Sequence, residues 1–312
     1  MSPIAFEQAV KEGGWVNLSS RTKLKITGSD RLRYLNGQLT NDVKKVSPQT
    51  ALYACVTNAK GRIQADVYAH GSAAEAEAYW LDAEPGLRES LAQRLDKYLV
   101  ADDVEIQDVT EDWRLIHLFG PAALTSLALP ESVRRVKINR VGWEGVDLWY
   151  SASESIPALA AQEVSAEDWE NLYILQGIPR WPAELSEEAF PQEAGLEARA
   201  LDFFKGCYIG QEVISRIKTT GKMPHTLVKF QAGESISTSL SPSAWQEVRL
   251  WIPGDEQPLR EAGRVTSVCL HPLLDRWKGL AYVRQNVTPA HSVLLAGQEP
   301  HRILGEIEIT AS

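Results

Sequence analysis

The order of hydrophobic patterns predicts an α+β protein that ends in a small antiparallel β-barrel. Two observations carry the expectation. Up to about residue 222, period-two runs alternate with runs of helical period. Beyond it only short strands remain, punctuated by Gly and Pro at the spacing of a barrel or sandwich. A chain of 312 residues can bury a large core in two or three domains. The switch in pattern divides it into residues 1–222 and 223–312.

Leu24 and Ile26 alternate with Lys23, Lys25 and Thr27, as in a half-buried strand. Gly28 turns the chain, and Ser29 is placed to cap a helix that carries Leu32 and Leu35 and ends near Gly37. Residues 51–56 and 62–70 read as strands joined through the hairpin turn Asn58-Ala59-Lys60-Gly61. A strand over 77–83 leads to an amphipathic helix with Leu87, Leu91, Leu95 and Tyr98 on one face. Strands near 104–109 and 113–119, a short helix after Pro121 and a strand near 146–150 follow. Ser165 caps the next helix, Asp168 reinforces the cap, and Gly177 ends it ahead of Pro179. Residues 178–204 form a long acidic loop broken by prolines, of the kind that carries function. Barrel strands are expected at 227–230, 248–251, 263–268, 280–283, 293–295 and 303–309.

Composition narrows the function. Apolar and charged fractions of 44% and 23% are those of an ordinary globular chain. A net charge of −9 gives no overall basic field to gather nucleic acid, so RNA contact would need a local patch. Arg134, Arg135, Lys137 and Arg140, or Arg216, Lys218 and Lys222, are the candidates; each also reads as a solvated face. Met1–Glu7 lacks the basic start and apolar core of a signal peptide. No apolar run approaches the ~18 residues of a membrane helix. The expectation is a cytoplasmic protein with no membrane partner. P-loop, G-x-G-x-x-G, H-E-x-x-H and G-x-S-x-G motifs are missing. The histidines are scattered, and His117, inside an apolar strand, reads as a core residue. Cys55, Cys207 and Cys269 cannot supply the four thiolates of an iron–sulfur cluster, so no tightly bound metal is expected. Their odd number and wide spacing fit a reducing compartment.

The stretch Lys205-Gly206-Cys207-Tyr208-Ile209-Gly210-Gln211-Glu212 is the most informative in the chain. It sets a cysteine between glycines, near a lysine and just ahead of a run (211–218) with Val213, Ile214 and Ile217 on one helical face. Nearby positive charge and a helix start both favour the thiolate, the reactive form. Cys207 is therefore the candidate functional thiol, with Lys205 as its tuning residue. Cys55 and Cys269, in apolar strands, read as small core residues.

Thr27-Gly28-Ser29-Asp30-Arg31 and Leu35-Asn36-Gly37-Gln38-Leu39-Thr40-Asn41-Asp42-Val43 open a series of landmarks. Asn58–Arg62, Gln176–Pro179, Pro191–Glu197 and Lys205–Glu212 continue it. In this order they resemble the YgfZ-type folate-binding family, a relative of the aminomethyltransferase (T-protein) of the glycine cleavage system. The resemblance spans residues 27 to about 220; the barrel agrees in type only. It implies a cloverleaf-like arrangement. Two interleaved α+β lobes within 1–222, one of them ferredoxin-like, would join the barrel around a tetrahydrofolate channel. It also implies a role in iron–sulfur cluster assembly or repair, with iron–sulfur client or assembly proteins as partners. Support for tRNA modification, and contact with nucleic acid, would be indirect.

By the same resemblance, Asp66, Trp169, Tyr208, Gln211, Glu212 and Arg216 are candidate folate-site residues. Arg62 and Arg199 are further candidates to hold the folate's acidic tail, and Phe204 a further aromatic for its pterin. The T-protein has adjacent aspartates where this chain reads Ala65-Asp66. It has a pterin-recognising glutamate where Leu175 stands, and some relatives carry a tryptophan where Arg21 stands. These departures argue against a classical aminomethyltransferase, because a leucine cannot accept a hydrogen bond. Two other classes stay open: a tetrahydrofolate-dependent one-carbon transferase and a direct tRNA-binding module.

Overall fold

The structure, a computed structural model, describes residues 3–72, 75, 77–121, 129–155, 159–232, 245, 248–252, 259–287, 293–296 and 303–310. Its first sheet runs in the order β3-β4-β5-β2-β6. The strands are β2 (Thr22–Thr27), β3 (Leu52–Thr57), β4 (Ile63–Gly71), β5 (Tyr79–Ala83) and β6 (Glu105–Asp108), all paired antiparallel. Period-two alternation gives the sheet two different faces. Leu24, Ile26, Ala54, Val56, Ala65 and Val67 pack under helices α2 (Arg31–Gln38) and α3 (Arg88–Asp96), against Leu35, Leu91 and Leu95. Each Leu, Ile or Val among them contributes about 1.5–3 kcal/mol when fully buried. On the other face, Cys55 meets Leu185, Ala189, Ala194 and Leu196 of the long acidic loop.

The second sheet, β1-β7-β9-β8, consists of β1 (Gly14–Asn17), β7 (Trp113–Phe119), β8 (Arg134–Ile138) and β9 (Gly145–Ser151). Because β1 pairs with β7, the chain starts in this sheet, builds the other and returns. Helices α1 (Pro3–Glu12) and α4 (Ala166–Gln176) cover it, with Phe6, Trp169 and Leu172 among Phe119, Trp149 and Val164. A buried ionic chain ties the two sheets together. Arg140 donates to Asp82 of β5 at 2.9 Å and to Asp147 of β9 at 2.6 Å, and Arg21 pairs with Asp82 at 2.5 Å. Removing one member would strand a buried charge at a cost of about 3–5 kcal/mol.

Two further helices follow, α5 (Glu197–Ala200) and α6 (Gln211–Thr220). The remaining strands are β10 (His225–Ala232), β11 (Arg249–Ile252), β12 (Arg260–His271), β13 (Arg276–Arg284), β14 (Val293–Ala296) and β15 (Ile303–Thr310). They close into an antiparallel barrel in the order β10-β13-β12-β11-β14-β15, filled by Phe230, Trp245, Leu250, Val265 and Trp277. Glu184 and Glu193 of the acidic loop hold it in place. Tyr282 Oη donates to the Glu184 carbonyl at 2.9 Å, Ser267 Oγ to the Glu184 carboxylate at 2.7 Å, and the Leu227 amide to the Glu193 carbonyl at 2.8 Å.

Several expectations change. The first basic patch is dismantled: Arg134 lies over the Trp80 and Trp113 rings and pairs with Glu75, while Arg140 is wholly buried. Residues 134–138 are instead strand β8, with Val136 and Ile138 turned inward. Ser29 does not cap α2. Asp30 occupies the cap position, and Ser29 Oγ donates to Asp103 at 2.8 Å. The short helix expected after Pro121 lies outside the described residues. Ser165 does cap α4, accepting the Asp168 amide at 3.1 Å. Among the described residues, no helix is long and apolar enough to cross a membrane.

Candidate functional site

Three of the sequence landmarks meet around the 205–212 segment. Lys205 reaches into the turn after α2, where its ammonium donates to the carbonyls of Asn36, Leu39 and Asn41 at 2.6, 2.6 and 2.8 Å. Burial pushes its pKa down to about 8. Thr57 Oγ1 donates to the Ile209 carbonyl at 2.5 Å, and the Ile209 amide to the Gly37 carbonyl at 3.2 Å. Gly210 sits at φ 89°, where a Cβ would lie 2.5 Å from the Asn58 carbonyl oxygen. Only glycine fits there, because the backbone is left-handed and the Asn58–Gly61 turn presses against it. Asp202 braces the preceding residues: its Oδ1 accepts the Phe204 and Lys205 amides at 2.7 and 3.1 Å, and Oδ2 accepts Lys45 at 2.6 Å.

This rigid segment displays Cys207 to solvent while Cys55 and Cys269 are buried. Burial raises the Cys55 thiol well above its ordinary range and pushes Cys269 up to about 12, as small core residues require. The sequence expectation makes Lys205 the tuning residue of Cys207; what the structure shows of its ammonium is a set of backbone bonds. Three carbonyls engage its three protons, so its visible work is to anchor the loop.

A second cluster forms on the sheet face that carries Cys55. The β3–β4 register sets Cys55 opposite Asp66 and Tyr53 opposite Tyr68. Tyr53 Oη donates to Asp66 Oδ2 at 3.1 Å, whereas buried Oδ1 has no protein partner. Burial, aided by the nearby Glu84 charge, pushes Asp66 up to about 6. Arg140 lies 4.3 Å from the Tyr68 ring and Arg199 5.3 Å from the Tyr53 ring. Arg21, Arg140 and Arg199 each retain one buried, unpartnered guanidinium nitrogen. Orphaned buried polar atoms are rare in folded proteins. Here one carboxylate and three guanidinium groups show them close to one another.

The candidate residues divide between these places. Tyr208 is buried with Leu201 and Ile214, and its hydroxyl, pushed up to about 12 mainly by burial and also by Cys55, has no protein partner. Gln211 is half-buried, and Glu212 and Arg216 lie on the exposed side of α6; these three are not brought to Asp66. Trp169 is a core aromatic, packed within 5.3 Å of His117, Phe119 and Tyr173. His117 is likewise buried, held 2.8 Å from Asp147. Phe204 is fully exposed and cannot form part of an enclosed pterin slot. Arg62 stacks 3.6 Å from the Phe190 ring and lines a cavity of about 570 Å³ with Glu193, His225, Arg264 and Tyr282. That cavity does not include Asp66.

Two of the departures read differently in three dimensions. Ala65 is buried on the helix-covered face, opposite to Asp66, so a carboxylate there would enter the hydrophobic core rather than the site. Its identity therefore says nothing about chemistry at Asp66. Arg21 is not a vacated aromatic position; it forms a double ion pair with Asp82 and Glu84 at 2.5 Å each. Leu175 is half-buried against the Trp169 core. Tyr53, Tyr68 and Arg140 were missed as members of the cluster. The alternation Tyr53-x-Cys55 and Asp66-x-Tyr68 was the available signal for the two tyrosines, since period two puts each pair on one face.

Comparison with known proteins reports on family and fold. Residues 6–143 match the family model for the GCVT N-terminal domain. The chain is 29% identical over 309 residues to the tRNA-modifying protein YgfZ of Vibrio vulnificus, covering 94% of this chain and 90% of that protein. It is 27% identical over 225 residues to the mitochondrial iron–sulfur cluster assembly factor IBA57 homolog of Mycosarcoma maydis, covering 67% of this chain. The match spans about half, 54%, of the fungal protein. In structure it resembles the glycine cleavage system aminomethyltransferase T of Bartonella henselae, with a TM-score of 0.76 at 14% identity over 96% of this chain and 85% of that one. That likeness extends to the mixed α/β fold as a whole. With the ordered landmarks, these matches identify the chain as a YgfZ-type protein, related to the glycine cleavage T-protein family.

Proposed function

We propose that this protein is a folate-binding accessory factor for iron–sulfur cluster assembly or repair, acting in the cytoplasm and supporting tRNA modification indirectly. Its relatives carry names for both activities. The carrying observation is the buried Asp66 carboxylate with one unpartnered oxygen, close to guanidinium groups that each keep one unpartnered nitrogen. A reduced folate offers complementary groups: amine and ring N–H donors for Asp66, and carbonyl and carboxylate acceptors for the arginines. When bound it supplies secondary amines able to carry a one-carbon unit. Tyr53 orients the Asp66 carboxylate, and Arg199 and Arg21 serve as donors to the ligand's acceptors. Tyr208 closes the Cys55 side.

In this reading residues 1–222 form two lobes, one ferredoxin-like, that meet the barrel (223–312) in a cloverleaf around the folate. Cys207 is the functional thiol, offered to iron–sulfur clients or assembly proteins, with Gln211, Glu212 and Arg216 beside it on α6. Lys205 fixes its loop and adds positive charge nearby. One observation favours a second reading, tetrahydrofolate-dependent one-carbon transfer: a carboxylate held at about 6 is poised to take up a proton near neutrality.

Calorimetry with tetrahydrofolate tests the proposal. Wild type should bind, and Asp66→Asn should bind at least tenfold more weakly while remaining folded. Equal affinity in the two proteins, or no binding at millimolar ligand, would remove the folate assignment. Consumption of an aminomethyl donor with tetrahydrofolate present would move the conclusion to the second reading.

A further inference from the structure

Glu84 stands where the register of the first sheet sets two carboxylates side by side. Tyr68 of β4 pairs with Asp82 of β5, so two residues further along the same antiparallel register Asp66 faces Glu84. The backbone stays extended through Glu84, at φ −60° and ψ 147°. On its other side Lys23 of β2 pairs with Asp82, which brings Arg21 level with Glu84. Those two side chains meet at 2.5 Å. Cys55, Asp66, Glu84 and Arg21 therefore form one row across the sheet, on the face away from α2 and α3.

Like charges directly opposite each other on neighbouring strands are destabilising. Burial and the Glu84 charge together push Asp66 up to about 6, in keeping with this proximity. Neutralising the buried guanidinium groups does not require Glu84, because Asp82 and Asp147 already match Arg21 and Arg140. The backbone is held without its side chain: the Glu84 carbonyl accepts Thr22 Oγ1 at 3.1 Å and the Leu87 amide at 3.0 Å. Arg21 engages Glu84 Oε1. Among the described residues Glu84 Oε2 has no bonded partner, as Asp66 Oδ1 has none. The Glu84 side chain is 19% exposed, against 5% for Arg21 and 1% for Asp82, so a ligand can reach it.

Two free acceptor oxygens on neighbouring strands are complementary to two neighbouring N–H donors. A reduced folate carries such a pair on its aminopyrimidinone edge, a ring N–H beside an exocyclic amine. This guanidine-like edge is the kind that carboxylates bind strongly. We propose that Glu84 is a specificity residue of this site, accepting the exocyclic amine while the more deeply buried Asp66 accepts the adjacent ring N–H. This assignment rests on the folate reading and adds to it a second carboxylate, from the end of β5. Arg21 positions Glu84 and is itself held by Asp82 at 2.5 Å.

The test is calorimetry on the full chain with tetrahydrofolate and its 2-desamino-2-methyl analogue, which lacks the exocyclic amine. Wild type should favour tetrahydrofolate by about 10- to 100-fold, the range for one hydrogen bond to a charged group. Glu84→Met, similar in length but uncharged, should lose most of that preference, whereas Asp66→Asn should weaken both ligands and keep it. A second readout needs no ligand. Around Asp66 lie Tyr53 and Cys55 of β3, Arg21, Glu84, and Arg140 and Arg199 against the tyrosine rings. Glu84→Met removes one negative charge from this set, so Asp66 should ionise more readily. The midpoint near pH 6 in the pH dependence of urea stability should then fall. Glu84→Asp keeps the charge but retracts the acceptor, so it should hold the midpoint and lose the ligand preference. An unmoved midpoint or an undiminished preference in Glu84→Met would overturn the proposal. If wild type does not bind tetrahydrofolate, the folate reading falls and this assignment with it. If Asp66→Asn weakens binding while Glu84→Met leaves affinity and preference unchanged, the Glu84 assignment alone falls.

Discussion

Asp66→Asn should stabilise the ligand-free protein above neutral pH while weakening folate binding at least tenfold. Burial moves the Asp66 pKa from 3.8 up to about 6, so the folded state holds this proton more tightly than the unfolded chain does. The sign follows from linkage. The carboxyl's favourable contribution is complete below about pH 4 and is lost as pH rises through 6; above that, the ionised group is a burden on the fold. A shift of about two units at 1.36 kcal/mol each gives ~3 kcal/mol. Asparagine keeps the shape, stays neutral and can accept from Tyr53, but its own buried N–H lacks a partner and gives back about 1 kcal/mol. The variant should therefore exceed wild type by ~2 kcal/mol at pH 8. At pH 4 that advantage should vanish or reverse. Urea denaturation of both proteins from pH 4 to 8 measures the difference. If Asp66→Asn is less stable than wild type at pH 8, or the offset does not change with pH, then the carboxylate is a structural acceptor and the argument for a binding site fails.

Lys205→Met removes a three-way hydrogen bond to backbone carbonyls from a half-buried site; we expect a loss of about 2–4 kcal/mol in denaturant unfolding. Unchanged stability with a slower Cys207 would instead make the lysine a pure tuning group. Gly210→Ala should cost about 2–4 kcal/mol, from the left-handed backbone and the clash with Asn58. Gly206→Ala, with nothing nearby, should stay within about 0.5 kcal/mol, and thermal denaturation of the pair gives the contrast. Iodoacetamide labelling read by mass spectrometry should modify Cys207 first and reach Cys55 and Cys269 only on unfolding. Equal rates at all three would show that the core opens around the buried pair.

The sequence by itself determined the run of elements. Alternation marked most strands, including β2 and the β3–β4 hairpin, the 3.6-residue period marked α3 and α6, and Ser165 and Gly177 set the ends of α4. These signals are local, because a side chain's face follows from the backbone period alone. The elements α1 and β1 escaped, and β8 was read as a basic cluster, because charged residues on its outer face obscured Val136 and Ile138. Cys207 was legible as the accessible thiol because glycines and a helix start surround it in sequence.

What the Lys205 ammonium binds was decided only in three dimensions. Its three acceptors lie more than 160 residues away in the chain. The same holds for Ala65 and Asp66, adjacent in sequence and on opposite faces of one sheet, with helices over the first and the acidic loop over the face of the second. Arg140, a surface cation by composition, is buried because Asp82 and Asp147 arrive from separate sheets to hold its charge. Burial and pairing are properties of what packs from elsewhere, and a desolvated charge is tolerable only where tertiary structure brings it a partner.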